Sequence, residues 1–107
     1  MSGAAETVHA TALIIGDAGV LIQGRSGAGK SGLALALIAA AVLSGDFGRL
    51  VCDDRVRLRR ISGRIIAGAL TPIAGRVERR GSGLESMAHE PGARLDLVVD
   101  IVENIQR

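Results

Sequence analysis

The chain has 107 residues, which is enough for one domain and too few for two. Hydrophobic residues make up 48% of it, so a core can form from Ala, Val, Leu and Ile although Phe47 is the single aromatic residue. The net charge of +2 does not by itself argue for nucleic-acid binding, and the longest apolar run, at positions 33–43, is shorter than the ~20 residues that span a bilayer. We therefore expect a single domain over residues 1–107 with no membrane and no nucleic-acid partner.

The N-terminus and the cysteine content both favour a cytoplasmic location. Residues 1–7 are small and polar, lack the basic and apolar regions of a signal peptide, and are expected to be loose. Cys52 is the only cysteine, so no disulfide forms within the chain, as is usual in a reducing compartment. Because Cys52 lies in an apolar run, we expect a buried and unreactive thiol.

A β-hairpin is predicted at the start of the chain. Residues 9–15 read HATALII and are β-compatible, residues 16–19 are typical of a turn, and residues 20–23 form a second apolar run. The hairpin leads directly into a glycine-rich stretch.

That stretch, residues 24–31, reads G-x-x-x-x-G-K-S, the pattern of a phosphate-binding P-loop. It lies between a predicted strand and a predicted helix over 32–43, which is the context that the motif requires; the alternative is a glycine-rich turn that matches by chance. Lys30 would reach the β- and γ-phosphates of a nucleotide, and the Ser31 hydroxyl would bind Mg²⁺. The predicted phosphate-binding residues are Gly24, Arg25, Ser26, Gly27, Ala28, Gly29, Lys30 and Ser31. The helix is apolar almost all round, so we expect it to be buried on more than one side, or one exposed side to be a subunit contact.

Two carboxylates follow the next apolar run, at 50–52. An apolar strand that ends in Asp resembles a Walker B element, in which Asp53 would meet Mg²⁺ directly or through water. Asp54, one residue on, is the candidate general base. The alternative is that both are solvated charges at a strand end.

The rest of the chain is mostly strand-like. Residues 55–61 and 64–69 form a second predicted hairpin around a turn at 62–63. A short helix is predicted over 71–76, a strand over 84–87, a turn over 90–93 and a last strand over 95–102. The sequence therefore predicts a strand-rich α/β domain with one main helix.

Two further polar features have open interpretations. His9 begins the first hairpin, where a lone histidine is more often structural than catalytic. The cluster at 78–83 is either a solvated charged loop or a source of a metal-binding carboxylate and a phosphate-binding arginine. His89 is expected on the surface.

Taken in order, these motifs resemble the catalytic domain of HPr kinase/phosphorylase, a bacterial regulator that phosphorylates a serine of the phosphocarrier HPr. In that family a Val-His-Gly hairpin start precedes the P-loop, an Asp-Asp pair ends the next strand, and a Glu-x-Arg-Gly-x-Gly segment follows. The matching segments here are Val8-His9-Ala10, the P-loop at 24–31, Asp53-Asp54 and Glu78-Arg79-Arg80-Gly81-Ser82-Gly83. The resemblance implies a hairpin-fed P-loop domain of the HPr kinase/PEP carboxykinase-like type, and a short form lacking the family's N-terminal domain or a fragment of one.

The resemblance also implies roles for matching residues, with ATP and Mg²⁺ as cofactors and HPr as the protein partner. Asp54 would be the acid/base, with His9 beside it, and would also serve the reverse reaction, in which phosphate attacks the phosphoserine. Lys30 would hold the nucleotide phosphates, and Arg80 would contact the phosphate in transfer. The implied Mg²⁺ site consists of Ser31 and Glu78, with Asp53 nearby. A homo-oligomer is a further expectation.

Departures from the family pattern leave two alternatives open. The family usually carries an acidic residue where Gly32 lies and often one at Arg25, and a bulky apolar residue at Ser82. One alternative is a nucleotide-binding regulatory module that has lost catalysis. The other is another small P-loop kinase, acting on a nucleotide or another small molecule.

Overall fold

A computed structural model describes residues 5–69 and 90–102. The predicted helix at 71–76 and strand at 84–87 lie outside these residues, as do the cluster at 78–83 and His89. The described elements are β1 (Glu6–Val8), β2 (Ala10–Ile15), β3 (Ala18–Gln23), α1 (Lys30–Leu43), β4 (Gly48–Cys52), β5 (Val56–Ile61), β6 (Arg64–Gly68) and β7 (Gly92–Asp100). The seven strands form one sheet in the order β1-β5-β6-β7-β3-β2-β4, in which only the β3–β7 pair is parallel.

Both predicted hairpins are confirmed. Strands β2 and β3 pair from Ile15 opposite Ala18 to Ala10 opposite Gln23. Strands β5 and β6 pair around Ser62 and Gly63, whose φ angles are 52° and 78°. Positive φ at both central residues matches the right-handed twist of the flanking strands, which explains the tight two-residue turn.

Strand β7 joins two parts of the sheet. Its first residues pair with β6, with Gly92 opposite Gly68, and the rest pairs with β3 as far as Asp100 opposite Gln23. The strand therefore begins at Gly92, where the sequence predicted a turn over 90–93. The join leaves no space for a side chain at Gly19, because a Cβ there would overlap the backbone oxygen of Arg94.

Two apolar clusters lie on opposite faces of the β2–β3 hairpin. The first lies under α1 and consists of Leu13, Val20, Ile22, Ala34, Ile38 and Leu50. The second lies between the β4-β2-β3 part of the sheet and the β5–β6 hairpin, and consists of Ala10, Ala12, Leu21, Val51, Cys52, Val56 and Ala67. Because the second cluster joins strands that are not neighbours in the sheet, the sheet curls around it.

Helix α1 packs on the sheet through one face. Its buried residues are Ala34, Ile38 and Ala41, whereas Val42 and Leu43 are 56% and 86% exposed. The expectation of burial on more than one side is therefore wrong for the described part of the chain: a sequence that is apolar all round does not specify how many faces meet a partner. No helix in the described ranges is both long and apolar enough to cross a membrane.

The N-terminal segment contains a strand that was not predicted. Glu6 and Thr7, expected in a loose segment over 1–7, pair with Leu58 and Arg57 of β5. This edge pairing satisfies backbone groups that a loose segment would leave to water. No local pattern indicated it, because both residues are exposed and the strand has only three residues.

Candidate active site

Three glycines shape the loop between β3 and α1, for two different reasons. Gly27 and Gly29 have φ angles of 84° and 97°, in the left-handed region that suits glycine, and no atom lies within 4 Å of where a Cβ would be. Gly24 suits close packing instead, because its Cβ would lie 3.2 Å from the Cβ of Ile101, a tight contact. The loop is thus held against the end of β7 at its start and is open over its middle, as a phosphate cradle must be.

The helix begins at Lys30, two residues earlier than predicted. Its N-cap is Gly29, which has no side chain to accept hydrogen bonds from the first-turn N–H groups, and that turn carries no acidic residue. These N–H groups and the positive end of the helix dipole therefore face the loop, an arrangement that favours an anion.

The side chain of Lys30 lies across the loop. Its Nζ donates hydrogen bonds to the backbone oxygens of Gly24, at 2.9 Å, and Arg25, at 3.2 Å. The only lysine of the chain is thus held beside the proposed phosphate cradle by carbonyl groups, which a phosphate could replace as its partners.

Ser31 meets Asp53, as the Walker B interpretation requires. The Ser31 hydroxyl donates to Oδ1 of Asp53 at 2.8 Å, although the two residues are 22 positions apart. A hydroxyl oxygen beside a carboxylate is a donor set that suits Mg²⁺, which binds oxygen ligands and keeps several waters. These two residues therefore fit the ion that the motifs imply. Elsewhere in residues 5–69 and 90–102, no three His, Cys, Asp or Glu side chains gather into a metal site.

Asp54 occupies a strained turn directly after β4. Its φ is 79°, and the Arg55 N–H donates to the Asp53 backbone oxygen at 2.9 Å, which closes a three-residue turn. Turns of this kind with positive φ are rare and strained, and for a non-glycine residue such strain costs about 1–3 kcal/mol. The side chain is exposed, so the carboxylate is available to a reactant in solution.

The strand register brings His9 to the same edge of the sheet. Val8 pairs with Val56, just after the Asp54 turn, and Ala10 pairs with Gln23, just before the loop. His9 therefore lies between the two turns, exposed, in the break between β1 and β2. Glu78 and Arg80, the other two predicted site residues, lie outside the described ranges and stay predictions.

Thr11 contacts a residue of the candidate site, which the sequence did not reveal. It is fully buried in β2, and its hydroxyl donates to Oδ1 of Asp53 at 2.8 Å, the same oxygen that Ser31 contacts. A polar residue inside an apolar strand was a signal for a specific partner, but the partner lies 42 positions away.

Cys52 precedes this carboxylate and is buried. Burial, and then the negative charge of Asp53, raise the pKa of the Cys52 thiol to about 12. The thiol lies 3.5 Å from the backbone oxygen of Gly68, to which it donates. It is therefore protonated at neutral pH, in agreement with the predicted buried thiol.

The described surface includes two grooves. One of about 410 Å³ adjoins the loop and is lined by Arg25, Ala28, Ile101 and Val102. Another of about 430 Å³ lies between the β5–β6 hairpin and β7, and none of its described lining residues is a predicted site residue. Only the first is placed to receive the rest of a molecule whose phosphates lie in the loop.

The chain is similar to known proteins. The pattern described as HPr Serine kinase C-terminal domain matches residues 3–102. The HPr kinase/phosphorylases of Neisseria meningitidis serogroup C and of Peptoclostridium acidaminophilum are each 34% identical over 94% of this chain. The match spans 32% of each of those proteins, so the chain corresponds to about a third of their length.

A solved structure is similar as well. The Hpr(Ser) kinase/phosphatase from Coxiella burnetii is 26% identical and superposes with a TM-score of 0.63, over 89% of this chain and 58% of that one. The described strands and helix are thus those of a known kinase fold. The family pattern and the relatives together show that this chain belongs to the HPr serine kinase C-terminal domain family.

Proposed function

We propose that this chain is an ATP- and Mg²⁺-dependent kinase that phosphorylates a serine of HPr. The observation that supports it best is the pair at the end of β4: Asp53 accepts the Ser31 hydroxyl at 2.8 Å, and Asp54 follows in an exposed, strained turn. One carboxylate is thus tied to the P-loop helix, and its neighbour is left accessible for proton transfer.

In this proposal the loop and the helix N-terminus bind the ATP phosphates through backbone N–H groups. Lys30 leaves the carbonyls of Gly24 and Arg25 and donates to the β- and γ-phosphate oxygens. Ser31 and Asp53, with Glu78 from outside the described ranges, would hold Mg²⁺, which would supply positive charge to neutralise the phosphates. Most of the rate enhancement then comes from positioning and charge neutralisation.

Asp54 completes the transfer. The serine oxygen of HPr forms a bond to the γ-phosphorus, the bond to the β-phosphate oxygen breaks, and ADP leaves. Asp54 accepts the serine proton, with His9 beside it and Arg80 on the transferring group. In the reverse direction phosphate attacks the phosphoserine, pyrophosphate forms, and Asp54 returns a proton to the serine oxygen.

The test is transfer of label from [γ-³²P]ATP to HPr in the presence of Mg²⁺, with a full-length relative as the positive control. We expect labelled serine with wild type, and loss by about 10²–10⁴-fold in Asp54→Asn, the usual contribution of a general base. The variant should retain its affinity for ATP. No transfer by wild type, under conditions in which the relative works, contradicts the proposal.

A nucleotide-binding module without catalysis is the second candidate. It is favoured by the first turn of α1, which carries no acidic residue where the family usually has one, at Gly32. This candidate predicts ATP binding without turnover, and no change in function for Asp54→Asn. ATP turnover stimulated by a small molecule and not by HPr would favour a different small P-loop kinase.

A further inference from the structure

We infer that Thr11 is a positioning residue, which fixes the Asp53 carboxylate so that it can serve the Mg²⁺·nucleotide site. The inference rests on the proposed function, since it concerns the same site, but it assigns a role to a residue that neither the P-loop nor the Asp pair includes.

The burial of Thr11 first points to a specific role. Of the polar and charged residues in the described ranges, Thr11 is the one that is buried, at 0% exposure, and its neighbours Ala10, Ala12 and Leu13 are equally buried. If packing were the only requirement, an apolar side chain would suit this position better. A buried hydroxyl without a hydrogen-bond partner is destabilising by about 1–3 kcal/mol. The hydroxyl is explained by its partner, Oδ1 of Asp53, at 2.8 Å.

The strand register explains why this contact forms. Strand β4 runs antiparallel to β2 with Cys52 opposite Ala12. Asp53, one residue further along, therefore comes level with Thr11, one residue back. A register shift between Ala12 and Leu13 accompanies this pairing, and such shifts re-aim side chains at strand ends. Thr11 thus contacts the carboxylate just where β4 ends.

Both hydroxyl groups contact the same carboxylate oxygen. Thr11, from β2, and Ser31, from α1, each donate to Oδ1 at 2.8 Å. Neither of these hydroxyl groups donates to Oδ2, so that oxygen would be available to the Mg²⁺ site. In the proposed site the Ser31 oxygen would also bind Mg²⁺. Of the two hydroxyl groups, that of Thr11 is therefore the one that only holds the Asp53 carboxylate.

Removing the hydroxyl should therefore loosen Asp53 without unfolding the strand. Thr11→Val keeps the shape of the side chain and deletes the donor, whereas Thr11→Ser keeps the donor and deletes a methyl group. Thr11→Ala deletes both, and so differs from Thr11→Ser only in the hydroxyl. Thr7→Val makes the same chemical change at an exposed position of β1 and is the matched control.

The measurement is the affinity for ADP by calorimetry, once with Mg²⁺ and once with EDTA, together with the melting temperature of each variant. We expect Thr11→Val and Thr11→Ala to weaken Mg²⁺·ADP binding about 10–100-fold, the usual effect of losing a residue that orients a metal-binding group. Binding in EDTA should not change. Thr11→Ser and Thr7→Val should bind like wild type under both conditions.

A double-mutant cycle separates positioning from packing. In the Asp53→Asn background, Thr11→Val should have no further effect on Mg²⁺·ADP affinity. Any one of three results overturns the inference: equal weakening of ADP binding with and without Mg²⁺, an effect of Thr11→Val that persists in Asp53→Asn, or wild-type affinity in Thr11→Val. If Mg²⁺-dependent ADP binding follows the expected pattern and HPr is still not phosphorylated, the proposed function fails and the role of Thr11 stands.

Discussion

Two turns at one edge of the sheet place the backbone in the left-handed region, and they do so with different residues. The loop after β3 uses glycine, at Gly27 and Gly29, where positive φ carries no steric penalty. The turn after β4 uses Asp54, a non-glycine residue for which positive φ does carry a steric penalty. Where the proposed chemistry needs only backbone N–H groups the strain is avoided, and where it would need a carboxylate the strain is retained.

The hairpin turn between β5 and β6 provides the reference for this comparison. Ser62 there has a φ of 52° and is also not glycine, but it is followed by Gly63 and lies at the opposite end of β5 from the Asp pair. Positive φ at a non-glycine residue is therefore not specific to the candidate site. What distinguishes Asp54 is its place beside Asp53, whose carboxylate contacts the first turn of α1.

The comparison is tested most strongly by Asp54→Gly. Glycine should relieve the backbone strain, so we expect the free energy of unfolding to rise by about 0.5–1 kcal/mol, after allowance for the extra freedom of the unfolded chain. Phosphorylation of HPr should fall by about 10²–10⁴-fold because the proton acceptor is lost. Urea unfolding and the labelling assay measure the two effects.

Ser62→Gly is the matched control for that variant. It makes the same backbone change in the reference turn, so it should raise stability by a similar amount and leave phosphorylation unchanged. An Asp54→Gly protein that is destabilised, or that still phosphorylates HPr, would show that the turn after β4 is not a strained holder of a catalytic carboxylate.

The stability of the protein at alkaline pH tests the burial of Cys52, the residue that precedes Asp53. The thiol of Cys52 has a pKa of about 12 in the folded chain and about 9.0 unfolded, so the folded state holds its proton more tightly. Its contribution to stability is therefore complete below pH 9 and is lost as the pH rises from about 9 towards 12. We expect a fall of up to ~1.4 kcal/mol per pH unit in the free energy of unfolding across that window.

Denaturant unfolding between pH 7 and 11 measures this slope. The chain has no tyrosine and only one lysine, so few other groups titrate in the window. Cys52→Ala should flatten the alkaline limb. An unchanged slope in that variant would assign the alkaline loss to another group.

The sequence predicted the elements that local patterns encode. The apolar runs on either side of the glycine-rich motif predicted β3 and α1, and the structure confirms both. The Asp pair was singled out because carboxylates directly follow an apolar run, and its roles in metal binding and catalysis stay predictions. The β5–β6 hairpin was found because its alternation and its Ser-Gly turn are both local signals.

The features that were missed depend on distant partners. Thr11 resembles any β-branched strand residue until strand β4 brings Asp53 to it, 42 positions away. The strained turn at Asp54 has no local code, since Asp is compatible with many turn conformations. The exposure of Leu43, at 86%, was also missed, because a helix that is apolar all round does not indicate which face has a partner.

Gly29→Ala tests the glycine side of the comparison. No atom lies within 4 Å of the position of a Cβ, so the cost is confined to the backbone, at φ 97°, and should be about 1–2 kcal/mol. A loop that changes shape to avoid this backbone cost should bind phosphate less well. We therefore expect nucleotide affinity to fall about tenfold, which corresponds to 1.4 kcal/mol. Calorimetry with ADP and urea unfolding measure the two quantities.

Gly16→Ala is the control for the loop variant. Gly16 has a φ of 64° and equally open surroundings, but it lies in the turn between β2 and β3, at the opposite end of those strands from the loop. We expect a similar loss of stability and unchanged ADP affinity. A Gly29→Ala protein that binds ADP as wild type does would mean that the loop tolerates a side chain there and that glycine is not needed to shape the cradle.

The smallest effect is expected at Gly32, where glycine is needed neither for a positive φ nor for close packing. It lies in α1, exposed, with ordinary helical backbone and no atom within 4 Å of where a Cβ would be. Gly32→Ala should therefore stabilise the protein by about 1 kcal/mol through helix propensity alone, and Ala36→Gly, also exposed on α1, should destabilise it by a similar amount. Mg²⁺·ADP affinity should be unchanged in both. If Gly32→Ala is more stable but binds Mg²⁺·ADP more weakly, glycine at this position keeps a path to the metal site open, and the helix start is part of the site in the same sense as the loop.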